Sequence, residues 1–208
     1  ASCLVGSEMC IRDSDKSLAA STEMAKEYGE PKILEGYGRR NTTTMAVAPT
    51  TSSAFILGQV SQGIEPIWSN CYVKDIAKLK VTIKNPLLEV LLEQKGHNNK
   101  ETWQSIRDND GSVQHLTEIL DDKEREVFKT FPEINQMNVI QQAAARQRYI
   151  DQGQSLNIMI HPQTPVKDIN AIYVEAWKLG IKALYYQHSM NAAQQFNRKL
   201  LTCESCEA

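Results

Sequence analysis

The fold is decided by residues 155–187, SLNIMIHPQTPVKDINAIYVEAWKLGIKALYYQ. Residues 155–161 are mostly apolar and predict a strand. Residues 165–179 predict an amphipathic helix whose buried face carries Ile169, Ile172, Val174, Ala176 and Trp177. Residues 182–187 then predict a second strand. A strand, a helix of this length and another strand form a parallel unit, so the fold class is α/β.

Upstream of this unit the chain alternates between shorter predicted elements. A helix is predicted over residues 16–28, a strand over 42–48, and an irregular region with short strands over 64–83. The middle of the chain is mostly helical, with helices predicted at residues 87–94, 100–107, 112–119 and 122–128 and from Pro132 to Tyr149.

Composition excludes several classes of protein. The chain has 208 residues, is 41% hydrophobic and carries a net charge of −2, which is typical of one globular domain or part of a larger one. Nearly balanced charges argue against nucleic-acid binding through bulk charge. No apolar run approaches the roughly 20 residues of a membrane helix. Five unevenly placed cysteines do not suggest a secreted disulfide framework, so a reducing, cytoplasmic location is predicted.

Residues 1–14 resemble a translated sequencing adapter and lack the basic start and apolar block of a signal peptide. They are therefore treated as non-native, together with Cys3 and Cys10. On this reading the chain is the C-terminal fragment of a longer protein. Its predicted parts are the adapter-derived segment 1–14, an α/β domain over 15–195 and a flexible tail over 196–208.

A hydroxyl-rich turn, Pro49-Thr50-Thr51-Ser52-Ser53, follows the predicted strand 42–48. Hydroxyl groups and the free N–H groups of a helix N-terminus suit a phosphate or diphosphate. Serine and threonine are equally typical of ordinary helix N-caps, and the residues alone favour that interpretation. No Gly-x-x-x-x-Gly-Lys occurs, so the turn is not an ATPase loop.

Two cysteines lie close to the C-terminus, in Cys203-Glu204-Ser205-Cys206. Thiols at this spacing can form a disulfide or bind a metal. Zinc would need two further ligands, and no second pair is present, so no metal site is predicted. A mobile chain end suits a redox shuttle, because disulfide exchange requires one sulfur to reach another directly. The shuttle is favoured over an inert tail, since cysteine is rarely placed on an exposed terminus by chance.

Adjacent tyrosines, Tyr185 and Tyr186, end the second strand. Strand alternation sends successive side chains to opposite faces, so taken alone the pair indicates one core ring and one outer ring.

The turn, the tyrosine pair and the cysteine pair, in this order, resemble the C-terminal part of the large, catalytic subunit of class I ribonucleotide reductase. The resemblance extends from Ala19 to Ala208. It rests on Gly36-Tyr37-Gly38-Arg39-Arg40-Asn41, Ala48-Pro49-Thr50-Thr51-Ser52-Ser53, Gly63-Ile64-Glu65-Pro66, Gly180 to Gln187 and the terminal Cys203-Glu204-Ser205-Cys206-Glu207-Ala208.

The resemblance implies the C-terminal part of a ten-stranded α/β barrel with a largely helical insertion. Residues 49–53 would bind the substrate diphosphate, largely through main-chain N–H groups. Tyr185 and Tyr186 would relay a radical, with Tyr186 facing the small subunit and Tyr185 facing the thiyl-radical cysteine. Radical transfer between Tyr185 and Tyr186 favours rings that lie close together, so the pair is expected at a strand end or a local distortion. Cys203 and Cys206 would re-reduce the active-site disulfide.

The partners that the resemblance implies are a small radical-generating subunit, thioredoxin or glutaredoxin, a nucleoside diphosphate and a second large subunit. The chain itself is expected to bind no cofactor, because the radical cofactor would belong to the small subunit and effector nucleotides to upstream regions. The family's Asn-Leu-Cys-x-Glu stretch and active-site dithiol do not occur here, so the chain alone is expected to be inactive. The alternatives are a non-catalytic interaction module whose cysteine tail binds a metal or a partner, and, less favoured, a thiol–disulfide enzyme.

Overall fold

The computed structural model describes residues 2–58, 61–76 and 79–189. Its helices and strands, in chain order, are α1 (Ser2–Tyr28), α2 (Thr51–Ile56), β1 (Cys71–Ile76), β2 (Leu79–Lys84), α3 (Pro86–Gln94), α4 (Lys100–Asp108), α5 (Asp122–Val127), α6 (Gln136–Gln147), β3 (Ile158–Met159), α7 (Val166–Lys178) and β4 (Gln187–His188). The predicted tail, with Cys203 and Cys206, lies outside the described residues.

Two compact units make up the described part of the chain. The first contains the described residues of 1–49 together with 136–158 and 164–187, and the second contains those of 50–135 and 159–163 together with 188 and 189.

The strand–helix–strand unit predicted from residues 155–187 is present. The Tyr185 N–H donates to the Leu156 carbonyl at 2.8 Å, and the Ile158 N–H donates to the Tyr186 carbonyl at 2.9 Å. Partner numbers rise together along both strands, so β3 and β4 run parallel, with α7 as their connection. The paired strands are shorter than predicted. The strand predicted over residues 42–48 is reduced to a single parallel bridge between Val47 and Gln154.

In the first unit, α6 packs against both α1 and α7. Val139, Ile140 and Ala143 form the buried face of α6, while α7 buries Ala176 alone. A small side chain at the contact allows two helices to approach closely. The prediction that Val174 and Trp177 are buried is wrong, because Trp177 is 77% exposed and Val174 38%.

The helix predicted over residues 16–28 is confirmed as the C-terminal part of α1, which ends before Gly29. In the structure this helix also continues back through residues 2–14. The origin of those residues stays a prediction.

The second unit contains the β1–β2 hairpin and the helices α2 to α5. Its core includes a cluster of buried side chains, namely Cys71, Leu88, Leu92, Trp103, Ile106, Val113, Leu116 and Leu120. Helix α3 begins where the Asn85-Pro86 pair predicts it. The Asn85 side chain accepts a hydrogen bond from the Leu87 N–H at 3.1 Å, and proline occupies the first helical turn.

The helix predicted over residues 112–119 is absent from the structure, which has turns there. The N–H of Leu116 donates to Val113 at 3.0 Å, and that of Ile119 donates to Leu116 at 3.1 Å. Successive three-residue turns place every third side chain on one side, so the same apolar spacing is buried without an α-helix.

Gly111 determines how this segment meets the hairpin. Its φ is +82°, and a Cβ built there would lie 2.8 Å from the Asn70 backbone nitrogen and 1.8 Å from the Ser69 Oγ. Asn70 is fully buried, and its Nδ2 donates to the Gly111 carbonyl at 3.0 Å and to the Phe128 carbonyl at 2.8 Å. A side chain at position 111 would therefore push directly on a buried hydrogen-bond network.

We expect Gly111→Ala to lower the free energy of unfolding by about 3 kcal/mol or more, combining positive-φ strain with a clash against backbone. Urea unfolding followed by circular dichroism measures this. Gly96→Ala is the matched control, because Gly96 has φ +74° and nothing within 4 Å of the added Cβ. Gly96→Ala should lower the free energy of unfolding only through the strain of a positive φ, by on the order of 1 kcal/mol. Equal losses in the two variants would contradict the role given to the Gly111 contact.

Candidate functional site

Tyr185 and Tyr186 lie immediately before β4, and backbone hydrogen bonds to the β3 segment hold both residues. Their ring centroids are 4.1 Å apart with an interplanar angle of 55°. The predicted proximity of the rings at a strand end is therefore confirmed. The side chains are 47% and 57% exposed, so the prediction from alternation, with one ring in the core, is wrong. Both side chains are exposed in this chain.

The two phenols are electrostatically linked. A side-chain hydrogen bond with Tyr186 raises the pKa of Tyr185 above the usual 10.0, and the Tyr186 charge and burial raise it further. Tyr185 therefore stays protonated at neutral pH. A phenol in that state can give up an electron only if its proton leaves at nearly the same time, and the neighbouring hydroxyl offers a path for that proton.

Gln187, the residue after the tyrosine pair, is hydrogen-bonded to α7. The Tyr173 hydroxyl, on α7, donates to the Gln187 Oε1 at 3.0 Å. This bond joins the connecting helix to the residue after the pair and so restrains the start of β4.

The hydroxyl-rich turn is placed as predicted, at the start of a helix. Pro49, Thr50, Thr51, Ser52 and Ser53 are all exposed, and α2 begins at Thr51. The Ala54 N–H donates to the Thr50 carbonyl at 2.8 Å, so the preceding N–H groups belong to the first helical turn and point out of its end. Thr50 has φ +48°, a strained conformation for a β-branched residue and one that is concentrated at binding sites.

Asp151 is a positioning residue that the sequence did not reveal. Its carboxylate accepts hydrogen bonds from the Thr44 N–H at 2.7 Å, the Met45 N–H at 2.8 Å and the Thr44 Oγ1 at 3.2 Å. Its carbonyl accepts a hydrogen bond from the Lys182 Nζ. Asp151 thus joins the segment leading to Pro49 with the segment leading to Tyr185.

These hydrogen bonds also affect the titration of Asp151. Burial raises the pKa of the carboxyl, but the bonds from Met45 and Thr44 outweigh burial and hold the pKa below 3.8. A carboxyl whose pKa is depressed in the folded state contributes its full stabilisation at pH values above the pKa that it has in the unfolded chain. That contribution is lost as the pH falls through the folded pKa.

We expect Asp151→Asn to lower the free energy of unfolding at pH 7 by about 1–3 kcal/mol, because charge-assisted bonds are replaced by weaker neutral ones. The variant should also lose less stability than the parent when the pH is lowered past 3.8. Urea unfolding at pH 7 and at a series of acidic pH values measures both effects. Asp15→Asn, at an exposed position on α1, is the control and should change neither. A parent and variant with identical acid profiles would contradict the assignment.

The described residues contain neither a clustered metal-ligand set nor a membrane-spanning helix. Among 2–58, 61–76 and 79–189, no group of three or more His, Cys, Asp or Glu side chains is placed to hold a metal ion. None of the helices in that part of the chain is both long and apolar enough to span a bilayer.

The chain is similar to known proteins of one family. The profile of the family described as ribonucleotide reductase, barrel domain, matches residues 30–187. The large subunit of ribonucleoside-diphosphate reductase from Invertebrate iridescent virus 6 is 42% identical over 168 residues, which is 79% of this chain and 18% of that protein. The corresponding subunit from Danio rerio is 39% identical over 150 residues, covering 72% of this chain and 18% of that protein.

A solved structure gives the same result. The class Id ribonucleotide reductase alpha subunit of Actinobacillus ureae is 58% identical and matches with a TM-score of 0.78 over 87% of this chain and 33% of that one. These likenesses define an α/β domain of the kind found in a reductase. The chain belongs to the ribonucleotide reductase family, through its barrel domain. It spans 18–35% of the length of the first curated relatives it matches.

Proposed function

We propose that the whole protein is the large, catalytic subunit of a class I ribonucleoside-diphosphate reductase, which makes deoxyribonucleotides for DNA synthesis. This chain would supply the C-terminal part of a ten-stranded α/β barrel. The observation that carries the proposal is the pair of tyrosine rings 4.1 Å apart. The relatives named as large subunits of this reductase support it.

In this proposal the tyrosine pair transmits an oxidising equivalent from the small subunit to the active site. Tyr186 receives it from the small subunit, losing an electron and a proton, and Tyr185 then reduces Tyr186 by the same paired loss. Tyr185 in turn oxidises a cysteine of the active site to a thiyl radical. The ring contact supports electron transfer, and the hydrogen bond between the phenols supports transfer of the proton.

Reduction of the substrate would then require two electrons from thiols. The thiyl radical takes the 3′ hydrogen, and an active-site dithiol then supplies two hydrogens: one leaves with the 2′ hydroxyl as water and the other replaces that hydroxyl at C2′. The dithiol is thereby oxidised to a disulfide, and the 3′ hydrogen returns to the sugar, which restores the thiyl radical. Cys203 and Cys206 would reduce that disulfide by exchange and be reduced in turn by thioredoxin or glutaredoxin. A reducing, cytoplasmic setting follows from this cycle and suits the free thiol of Cys71 in the core.

The hydroxyl-rich turn would hold the diphosphate of the substrate. The N–H groups of Thr51, Ser52 and Ser53 lie in the first turn of α2, where the helix dipole favours an anion. The hydroxyl groups of Thr50 to Ser53 add further donors. Pro49 and the strained Thr50 fix the path of the chain into this turn.

The proposed assembly consists of two large subunits with the radical-generating small subunit. The radical cofactor would belong to the small subunit. Effector nucleotides would bind to regions of the large subunit that this chain does not match.

A chimera tests the proposal. Residues 30–208 of this chain would form the C-terminal part of the Actinobacillus ureae alpha subunit, which is 58% identical, in place of its matching region. With a small subunit, a nucleoside diphosphate and a thiol reductant, the chimera should form deoxynucleotide. The chain by itself should form none, because it has no Asn-x-Cys-x-Glu stretch. A folded, dimeric chimera without activity would contradict the proposal, as would turnover by the chain alone.

A further inference from the structure

A cavity of about 430 Å³ opens in the second unit between the β1–β2 hairpin and α4. None of its lining residues is used in the function proposed above. The described residues that line it include no carboxylate, and its polar groups are concentrated in Lys84, Asn98, Asn99, Lys100, Gln104 and Arg107. Lys84 is paired with Glu89, which lies outside the lining, and Lys100 and Arg107 leave the cavity with a net positive charge that favours an anionic occupant.

Two elements bring these cations to the cavity from different sides. In the hairpin, Lys84 is paired with Cys71 and Thr82 with Val73, so Thr82 and Lys84 face the same side of the strand. On α4, Lys100 and Arg107 are seven residues apart, two helical turns, and therefore lie on one face. The cavity is bounded by a hairpin wall and a helical wall.

Existing contacts already hold these walls in place. The Lys84 Nζ lies 4.7 Å from the centroid of the Trp103 ring and 3.1 Å from the Glu89 Oε1. The Trp103 Nε1 donates to the Asn98 Oδ1 at 2.7 Å. Trp103 is only 5% exposed, so these contacts are anchored in the core. A preorganised site loses less conformational entropy when its ligand binds.

The positive charges of Lys84 and Arg107 both act on the Cys71 thiol in the cavity lining. Cys71 lies there, 3% exposed. Burial raises the pKa of its thiol, while the charges of Arg107 and Lys84 oppose that rise. Both cations are therefore close enough to act on the same point from opposite walls.

We propose that this cavity binds a small phosphate-bearing ligand between Lys84 of the hairpin and Lys100 and Arg107 of α4. Phosphate presents oxygens in several directions, which suits cations that approach from two walls, whereas a carboxylate is planar. The N-terminus of α4, capped by Asn99, adds a favourable dipole at the end of the cavity that Asn99 and Lys100 line. The volume lies at the small end of the range for ligand pockets, about 300–1,000 Å³, and admits nothing much larger than a mononucleotide.

Pyrophosphate is the probe. Titrated into the ¹⁵N-labelled chain, it should give saturable shifts of the Trp103 indole N–H resonance, one of three such signals, and calorimetry should show affinity that falls with added salt. The double variant Lys100→Gln/Arg107→Gln should bind at least about tenfold more weakly, from the loss of two charge-assisted contacts. Lys100→Gln alone, at an exposed position, repeats the test with less risk to folding.

The control is Lys123→Gln/Lys167→Gln, which makes the same change in net charge at exposed positions on α5 and α7. It should bind pyrophosphate as the parent does. Equal weakening in the control and the cavity variants would show a general charge effect and overturn the proposal, as would non-saturable shifts. Malonate serves as the carboxylate probe. Binding as tight as that of pyrophosphate would overturn the assignment to phosphate.

Discussion

Tyr185→Phe and Tyr186→Phe should each reduce deoxynucleotide formation by the chimera at least about 1,000-fold, which corresponds to roughly 4 kcal/mol of barrier. Phenylalanine keeps the ring but has no hydroxyl group, so it can neither lose a proton nor pass on the oxidising equivalent. The loss should appear in kcat and leave KM nearly unchanged, because neither phenol is assigned to substrate binding. Steady-state assays of the chimera measure both quantities.

Folding should hardly change in these variants. Both side chains are about half exposed, and substitutions at such positions usually shift stability by about 0.5 kcal/mol or less. Tyr37→Phe is the matched control, because it removes a phenol hydroxyl that is 71% exposed and outside the pair. It should retain parental activity. Turnover within tenfold of the parent in either relay variant would remove the pair from the mechanism.

The link between the phenols can be checked without any turnover. Because the hydrogen bond with Tyr186 and its charge raise the pKa of Tyr185, Tyr186→Phe should lower the Tyr185 pKa towards 10.0. NMR titration of ¹³C-labelled tyrosine in the chain by itself measures this shift. An unchanged Tyr185 pKa in the variant would show that the phenols do not interact.

The tyrosine geometry shows how far sequence reasoning reaches. Strand alternation places the rings of Tyr185 and Tyr186 on opposite faces of the strand, whereas stepwise radical transfer between them requires the rings to be close. The structure places the pair just before β4, where pairing with β3 fixes the backbone but alternation does not determine the rings. Local periodicity thus predicted the strand–helix–strand unit. The ring contact was predicted by the radical transfer that the family resemblance implies for the two tyrosines.

What the sequence could not predict depends on distant partners. Asp151 binds Thr44 and Met45, which are 107 and 106 positions away, and a lone aspartate in the bend after α6 gives no local signal of such partners. The same limit applies to α7. Its apolar stripe indicates an amphipathic helix, but the neighbour that packs on it decides which residues are buried, and here that is Ala176 rather than Trp177.

The basic cavity was missed for a related reason. Lys84, Lys100 and Arg107 are scattered among ordinary polar residues in the sequence, and only the hairpin register and the α4 face bring them to one place. Cys71, at the same cavity, is a structural thiol, since it belongs to the core cluster of the second unit.

Cys203→Ser/Cys206→Ser should abolish sustained turnover of the chimera with thioredoxin or glutaredoxin as reductant, lowering the rate by at least about 100-fold. Each reduction of substrate consumes one active-site dithiol, and a folded protein reductant is too large to reach a buried disulfide. Without the tail cysteines, a prereduced enzyme should make about one deoxynucleotide per active site and stop. Dithiothreitol should restore turnover in the variant, because a small thiol can attack the active-site disulfide directly.

The dependence on the reductant separates shuttling from every other role of the tail. Ser205→Ala, between the two cysteines, keeps both thiols and should behave as the parent with either reductant. If the double serine variant were equally slow with dithiothreitol and thioredoxin, the cysteines would support folding or assembly instead. If the parent bound zinc at one equivalent and the variant did not, the tail would be a metal-binding module. Thioredoxin-driven turnover that depends on both cysteines, with recovery by dithiothreitol, is the result that only exchange between the tail and the active site produces.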